Sequence, residues 1–449
     1  MKTPALFTDL YELTMAQAYA AEGMDQTAVF ELMFRKMPQS RNYLVAAGIE
    51  DVLEFLEKFR FSREELNYLR QLPQFSSAFL RLLENIRFTG DVWAIPEGTV
   101  VFPNEPLVQV IAPVLEAQLM ETLVLNQVQF QSLAAAKAAR VTGAAQGRSV
   151  VDFGSRRAHG TDAALKIARA VYLAGGAGTS NVLAGMTYGI PVFGTMAHSY
   201  VQAHESESAA FDAFAALYPE TTLLVDTYDT LAGVQKVIEL SRKLGERFRV
   251  RAVRLDSGDL GNLARQARVM LDAAGLKHVT IFASSGLDEY EIQELVRSGA
   301  PIDAFGVGTK LAVMEDAPHL DMAYKLVEYA GQGRLKLSPK KALYPGRKQV
   351  YRQVEGGVMA RDVIGRFDER LAGEPLLQPV MRAGRRIGRI ELEESRGRFR
   401  REIQRLPARL RELEPAPDPY EVQFSGRLRD DLERIRKALA GDKIACPAC

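Results

Sequence analysis

The chain has 449 residues, 47% hydrophobic and 25% charged, with 57 Lys and Arg against 56 Asp and Glu for a net charge of +1. This composition suits a soluble globular protein long enough to bury more than one core, and the charge balance excludes the overall basic field that draws nucleic acid or an anionic membrane. Any anion must be met locally.

The opening "MKTPALFTDLYELTMAQAYAAEGM" lacks the basic flank, apolar core and small-residue cleavage site of a signal peptide, and no later stretch reaches membrane-spanning length without charges. A cytoplasmic location is expected, with no membrane and no nucleic-acid partner. Residues 1–125 combine amphipathic helical stretches (Asp9 to Ala21, Ile49 to Phe59, Arg63 to Arg70) with strand-like pieces, "FTGDVWAIPEGTVVF" and "LVQVIAPV". They read as an N-terminal α/β domain.

From residue 148 short apolar runs alternate with helical segments: "SVVDFG", "GGAGTS", "IPVFGTMAH", "TTLLVDTYDT", "FRVRAVRLDSGD", "HVTIFASSG" and "PIDAFGVGTK". Leu231 to Leu244 and Asn262 to Ala274 are typical of the amphipathic stretches between them. Repeated βα units of this kind predict a parallel sheet closed as a barrel over residues 126–321, with polar residues gathered after each strand where barrel enzymes keep their active sites. Beyond it, "AYKLVEYAGQGRLKLSPKK" and "QVYRQV" are strand-like and pair back with the N-terminal strands, so residues 322–396 complete a discontinuous first domain. The Arg-, Glu- and Leu-rich stretch 397–449, with "PAPDPYE" inside it, reads as a helical C-terminal extension of two exposed helices and a Pro-rich linker.

Several strand ends carry chemistry. "VVDFGSRRAHG" crowds Arg156, Arg157 and His159 into one turn. Adjacent guanidiniums repel, so a fold that holds them there has an anion to place between them; the alternative is an ion pair with a neighbouring carboxylate that only shapes the loop. "IDAFGVGTKL" offers Gly306, Gly308 and Thr309, whose amides and hydroxyl can cradle a phosphate, against the plainer reading of a tight turn. "VRLDSGDL" sets Asp256 and Asp259 three apart, with Arg254 on the same side of the strand as Asp256. Asp259 reads as the helix cap and Asp256 as the ligand of ribose hydroxyls or a hydrated Mg²⁺.

"IPVFGTMAHSYVQAHE" places His198 beyond an apolar strand, beside Ser199. A lone His is more often structural than reactive, but the strand-end position favours a nucleophile or proton carrier. His159 and His204 compete for that role, while His278 and His319 fall in surface turns. The terminal "CPAC" holds both cysteines, Cys446 and Cys449, at the spacing of half a zinc site. A closed zinc site needs four ligands, so Zn²⁺ would require a histidine or a second chain, and a frayed tail is the simpler reading.

Taken in order, "TDLYELTMAQAY", "FRKMP", "DFGSRRAHG", "GTSNVLAG", "FGTMAHS", "RLDSGDL", "ASSGLDEYEI" and "GVGTKL" closely resemble the nicotinate phosphoribosyltransferase family over roughly residues 3 to 350. The resemblance implies a type II phosphoribosyltransferase-like parallel β/α barrel, a second, discontinuous α/β domain and a helical C-terminal tail. It also implies a homodimer with shared active sites and a reaction joining nicotinate to 5-phosphoribosyl 1-pyrophosphate. The products are nicotinate mononucleotide and pyrophosphate, with ATP as co-substrate and Mg²⁺ as cofactor. His198 matches the histidine that ATP phosphorylates, Ser285 and Gly286 fall in a substrate-binding motif, and Tyr11 is expected to stack from the partner chain.

The three substrate anions give roles to these residues. Arg156 and Arg157 fit two of them, Arg254 is a third guanidinium, Phe153 lies against the pyridine face, and Asp256 orients the ribose and stabilises positive charge developing on it. The nicotinamide-specific relative carries Asp where this chain has Ser180; a carboxylate substrate would be repelled there, so Ser180 favours the acid. Quinolinate phosphoribosyltransferase shares the fold on much shorter chains without the "GT-x-AH" context. A non-catalytic nucleotide sensor is the rival from another class, and the presence of His198, Asp256 and Arg156 argues against it.

Overall fold

The computed structural model describes residues 3–337 and 343–444. Two compact units divide the chain, one formed by Met1–Leu133 with His319–Cys449 and the other by Ala134–Pro318. Cys446 and Cys449 lie outside the described residues. No helix among the described residues is long and apolar enough to cross a membrane.

The first unit is built on a seven-stranded sheet in which the interior strand Thr27–Phe34 pairs antiparallel with Met322–Tyr329 on one side and Val108–Pro113 on the other. Seven of the eight residues of "TAVFELMF" are buried. Glu31 can be among them because Lys348 Nζ lies 2.8 Å from its Oε2 and Gln109 Nε2 donates to its Oε1 at 2.8 Å. A buried charge stays ionised only with such partners.

The C-terminal region departs from two exposed helices. The helix Leu392–Arg405 buries Phe399 and Glu402, and the following turn buries Leu406, Leu410 and Leu413. The Pro-rich segment then leads into a strand, Glu421–Phe424, parallel to Val358–Arg366. Asn42 clamps that segment, donating to Glu412 and Glu414 carbonyls at 3.1 and 2.9 Å and accepting from the Ala416 amide at 2.8 Å. A few widely spaced apolar anchors in an arginine-rich stretch leave the composition polar while the chain is held down.

The anchor of this region is Arg352, whose side chain is wholly buried. It donates to Asp362 at 3.1 and 2.7 Å, to Glu402 at 2.6 Å and to the Val100 carbonyl at 2.8 Å. Tyr420 stacks on Phe102 with ring centroids 3.8 Å apart and donates its hydroxyl to Asp362 at 2.9 Å. Glu105 is the third acid here. Its Oε2 accepts from the Phe102 amide at 2.9 Å, but its buried Oε1 finds no N–H donor and neighbours Asp362. A proton kept on Glu105 can be donated from that oxygen to Asp362.

The second unit holds a six-stranded, all-parallel sheet in the order Gly178–Thr179, Ser149–Asp152, Ala304–Val307, Thr280–Ser284, Ala252–Leu255, Thr222–Leu224. Helices such as Thr161–Leu173, Thr230–Leu244, Leu260–Ala273 and Glu289–Arg297 connect the strands, giving the β/α barrel architecture. The run "IPVFGTMAH" is not a strand: Pro191 and Gly194 interrupt it, and only Val192 bridges Thr179. His198 consequently follows an extended loop and opens the short helix His198–Gln202.

Burial, and then the Asp362 carboxylate, push Glu105 well above the ordinary glutamate value of 4.5. A carboxyl raised in the fold contributes stability that is complete below its unfolded value and is lost as pH climbs toward its folded one. Glu105→Gln keeps the acceptor for Phe102 and supplies Asp362 with a donor at every pH. Its melting temperature is expected to rise relative to wild type progressively above pH 4.5, and a pH-independent difference would show that Glu105 ionises normally.

Candidate active site

Because all six strands of the second unit are parallel, their C-terminal ends lie on one side of the sheet. Polar residues beyond those ends divide between two tasks. Asn181, Ser206, Asp229, Asp259 and Asp288 cap the helices that follow, each accepting from a backbone amide two or three residues on. Asp259 is thus a cap, with Oδ1 on the Asn262 amide at 3.0 Å, and it is exposed.

The others gather around a cavity of about 310 Å³, lined by Phe153, Arg156, Ser180, Thr195, His198, Arg254 and Asp256 among others. Its size suits a small planar ligand with an attached sugar. Asp256 is its organising carboxylate. Oδ1 accepts from Ser284 Oγ at 2.5 Å and lies 3.0 Å from Arg254 Nη2, while Oδ2 is 3.9 Å from His198 Nε2. The His198 ring is held on its other side by Thr227 Oγ1, 3.1 Å from Nδ1. The Thr227 hydrogen bond holds the ring, and the Asp256 carboxylate at 3.9 Å faces its other nitrogen from beyond hydrogen-bond distance.

Arg254 is bound inside the protein. Its Nε donates to Ser284 Oγ at 2.8 Å, Nη1 to Thr195 Oγ1 at 3.1 Å, and Nη2 meets Asp256. Its guanidinium also sits 5.3 Å from the centroid of the Phe153 ring, which leans on Phe282 at 5.6 Å. Arg156 and Arg157 are both exposed, and neither has a carboxylate partner among the described residues. Arg156 lines the cavity and Arg157 does not.

Gly306 differs from its expected loop position. It lies inside the strand Ala304–Val307, paired with Val151, and a Cβ there would meet Phe153 ring carbons at 2.7 and 2.8 Å. Its smallness makes room for the ring. Gly308 and Thr309 do form the turn into the helix Thr309–Ala312, and the Thr309 side chain is exposed. Ser285 and Gly286 follow the strand Thr280–Ser284 with left-handed φ values of 101° and 61°.

Ser199 and His159 are exposed and outside the cavity lining; His204 is half-buried, also outside it, with its Nδ1 2.8 Å from the Tyr200 carbonyl. Tyr11 belongs to the first unit, on the helix Leu10–Ala21, where it is 45% exposed.

The sequence reading passed over the residues that hold these groups. Asp152 is wholly buried at its strand end, accepts from Thr179 Oγ1 at 2.7 Å and the Gly154 amide at 2.8 Å, and so fixes the turn carrying Phe153 and Arg156. Burial raises its carboxyl above the ordinary range. Asp226 accepts from the Asp256 amide at 3.1 Å and Ser257 Oγ at 2.5 Å, and its Oδ1 is buried without a hydrogen-bond partner. Thr227, Thr195 and Ser284 complete the set. "LVDTYDT" carried the same signal as the other strand ends.

Residues 6–129 match the family described as nicotinate phosphoribosyltransferase (NAPRTase) N-terminal domain, and residues 148–337 match the nicotinate phosphoribosyltransferase (NAPRTase) family. The nicotinate phosphoribosyltransferase pncB2 of Mycobacterium tuberculosis is 62% identical over 436 residues, covering 97% of this chain and 94% of the relative. The nicotinate phosphoribosyltransferase of Bacillus subtilis is 42% identical over 83% of this chain and 78% of its own length. Among solved structures, human nicotinic acid phosphoribosyltransferase superposes with a TM-score of 0.86 at 30% identity, over 95% of this chain and 99% of that one.

The unequal placement of the two arginines predicts unequal effects. Arg156→Lys keeps the charge but loses the fork, and should cost the reaction in this cavity about 1–3 kcal/mol of transition-state binding. Arg157→Lys should change kcat/KM much less. Equal losses in the two variants, with unchanged melting, would refute this division.

Proposed function

The chain belongs to the nicotinate phosphoribosyltransferase family, and on that premise we propose that it joins nicotinate to 5-phosphoribosyl 1-pyrophosphate, giving nicotinate mononucleotide and pyrophosphate. The observation that carries the reading is the meeting of Phe153, Arg156, Ser180, His198, Arg254 and Asp256 on one cavity. The pyridine ring lies against Phe153, whose other neighbours, Arg254 and Phe282, keep it in place. Arg156, with no acid partner among the described residues, takes a substrate anion. The ring nitrogen attacks C1 of the sugar as pyrophosphate leaves with the bond's electron pair. Asp256, fixed by Ser284 and Arg254, faces the positive charge that develops on the ribose.

We assign the coupling to ATP to His198. An imidazole nitrogen attacks the γ-phosphorus, ADP departs with the electron pair, and water later takes the phosphoryl group from the ring. Thr227 and Asp256 orient the ring for that attack. Among the described residues no three His, Cys, Asp or Glu side chains cluster as a metal site, so Mg²⁺ would depend on substrate oxygens. The unpartnered Asp226 Oδ1 and the cavity-lining Asp256 fit the protein's share of its ligands. Bound there, it would supply charge neutralisation for the leaving pyrophosphate.

A homodimer would bring Tyr11 to a neighbouring site. Phe7, Leu10, Tyr11 and Met15 are exposed on the first unit, and Val182, Leu183, Met186, Val192 and Phe193 on the second; apolar surface of this kind marks an interface.

His198→Ala is expected to abolish ATP hydrolysis and transfer of γ-phosphate label to the protein while leaving slow nucleotide formation at high sugar pyrophosphate. Acid-labile phosphate on the variant would overturn the assignment. Ser180→Asp should move the ratio of kcat/KM values from nicotinate toward nicotinamide, since a carboxylate there repels the acid and accepts from the amide; an unchanged ratio would place Ser180 away from the ring substituent.

A further inference from the structure

We propose that Lys310 is a positioning residue, a strap that ties the loop after the strand Thr280–Ser284 to the loop after Ala304–Val307 and so presents both to the sugar pyrophosphate in a fixed arrangement. The inference rests on the reaction assigned above. It adds a residue that touches no substrate.

Lys310 stands directly after Gly308 and Thr309, and its Nζ lies 3.0 Å from Asp288 Oδ2 and 2.6 Å from Glu291 Oε1. Those two acids form a closed capping box. Asp288 Oδ1 accepts from the Tyr290 and Glu291 amides at 2.8 and 3.1 Å, and the Asp288 amide donates to Glu291 Oε2 at 2.9 Å. The ammonium therefore grips a rigid helix start. Below it, Glu289 is wholly buried against Lys137 Nζ at 2.5 Å and Arg140 Nε at 2.9 Å, so the helix start is held from both sides.

What the strap holds in place is a strained turn. Ser285 has φ of 101°, a conformation that strains a non-glycine residue and persists only where its surroundings over-determine it. Upstream, Ser284 is pinned by Arg254 and Asp256, and just past the turn Leu287 is buried. Downstream, the next fixed point is the Asp288–Lys310 contact. Freed from Lys310, the turn loses its link to the facing Gly308–Thr309 turn.

The competing role for a lysine here is direct phosphate binding. Two carboxylates already lie within 3.0 Å of this ammonium. Burial works against charge on Asp288, yet the capping-box hydrogen bonds and Lys310 hold its carboxyl down at about 2, so it stays ionised and keeps the lysine engaged. The two roles diverge in one variant, Glu291→Gln, which loosens the strap but frees the ammonium.

The test is steady-state kinetics on the purified full chain, varying each substrate with the other saturating. Lys310→Met and Glu291→Gln should each raise KM for the sugar pyrophosphate on the order of tenfold, with KM for nicotinate and the melting temperature little changed. The double variant should be no worse than Lys310→Met alone, and Lys310→Arg should recover most of the loss. An unchanged or lowered KM in Glu291→Gln beside a raised one in Lys310→Met would make Lys310 a phosphate ligand and overturn the proposal, as would no change in either. Absence of turnover in the wild type would instead strike the assigned reaction. Calorimetric titration of the same variants with inorganic pyrophosphate would then decide the strap by the same comparison of affinities.

Discussion

The constraint on which the site depends is the parallel register of the barrel strands. Leu224 aligns with Arg254, Arg254 with Phe282, Phe282 with Ala304, and Val307 with Asp152, which aligns with Thr179. That register brings residues far apart in the chain to neighbouring strand ends, where one or two bonds can join them: Ser284 to Asp256, the Asp256 amide to the Asp226 carboxylate, Thr179 to Asp152. A one-residue slip of any strand would turn its functional side chain to the opposite face. The helix caps secure the same strand ends from outside, so the site is placed by backbone geometry before any ligand arrives.

Charge is distributed in the two units by different rules. In the first, Arg352 is surrounded by acids and serves to tie the C-terminal region to the sheet; removing a partner from such a buried cluster strands a charge. In the second, Arg254 spends its N–H groups on Ser284, Thr195 and Asp256 and so becomes scaffold, while Arg156 meets no acid among the described residues. One residue type is thus engaged or left open according to its neighbours.

Much of this was legible in the chain. The alternation of apolar runs and helices marked the parallel sheet because strand and helix periodicities are local properties, and helix boundaries such as Ile49–Lys58 and Arg63–Leu69 fell within a residue of expectation. His198, Asp256 and Arg156 stood out because reactive residue types after an apolar run are rarely explained by packing. Gly306, Thr227 and the C-terminal region were not legible for a shared reason. Gly306 answers to the Phe153 ring, Thr227 to a histidine 29 residues away, and the Pro-rich segment to Asn42, over 370 positions earlier. Contacts of that range are set by the fold.

The proposed chemistry of this barrel cavity is the coupling of nicotinate, as an acid, to a sugar pyrophosphate with help from ATP. The most direct measurement offers the purified protein nicotinate, nicotinamide and quinolinate in parallel, each with 5-phosphoribosyl 1-pyrophosphate, with and without ATP, and identifies the nucleotide products. Nicotinate mononucleotide is expected from nicotinate, formed faster with ATP, with little product from the other two. Turnover of nicotinamide or quinolinate at a kcat/KM matching or exceeding that of nicotinate would contradict it.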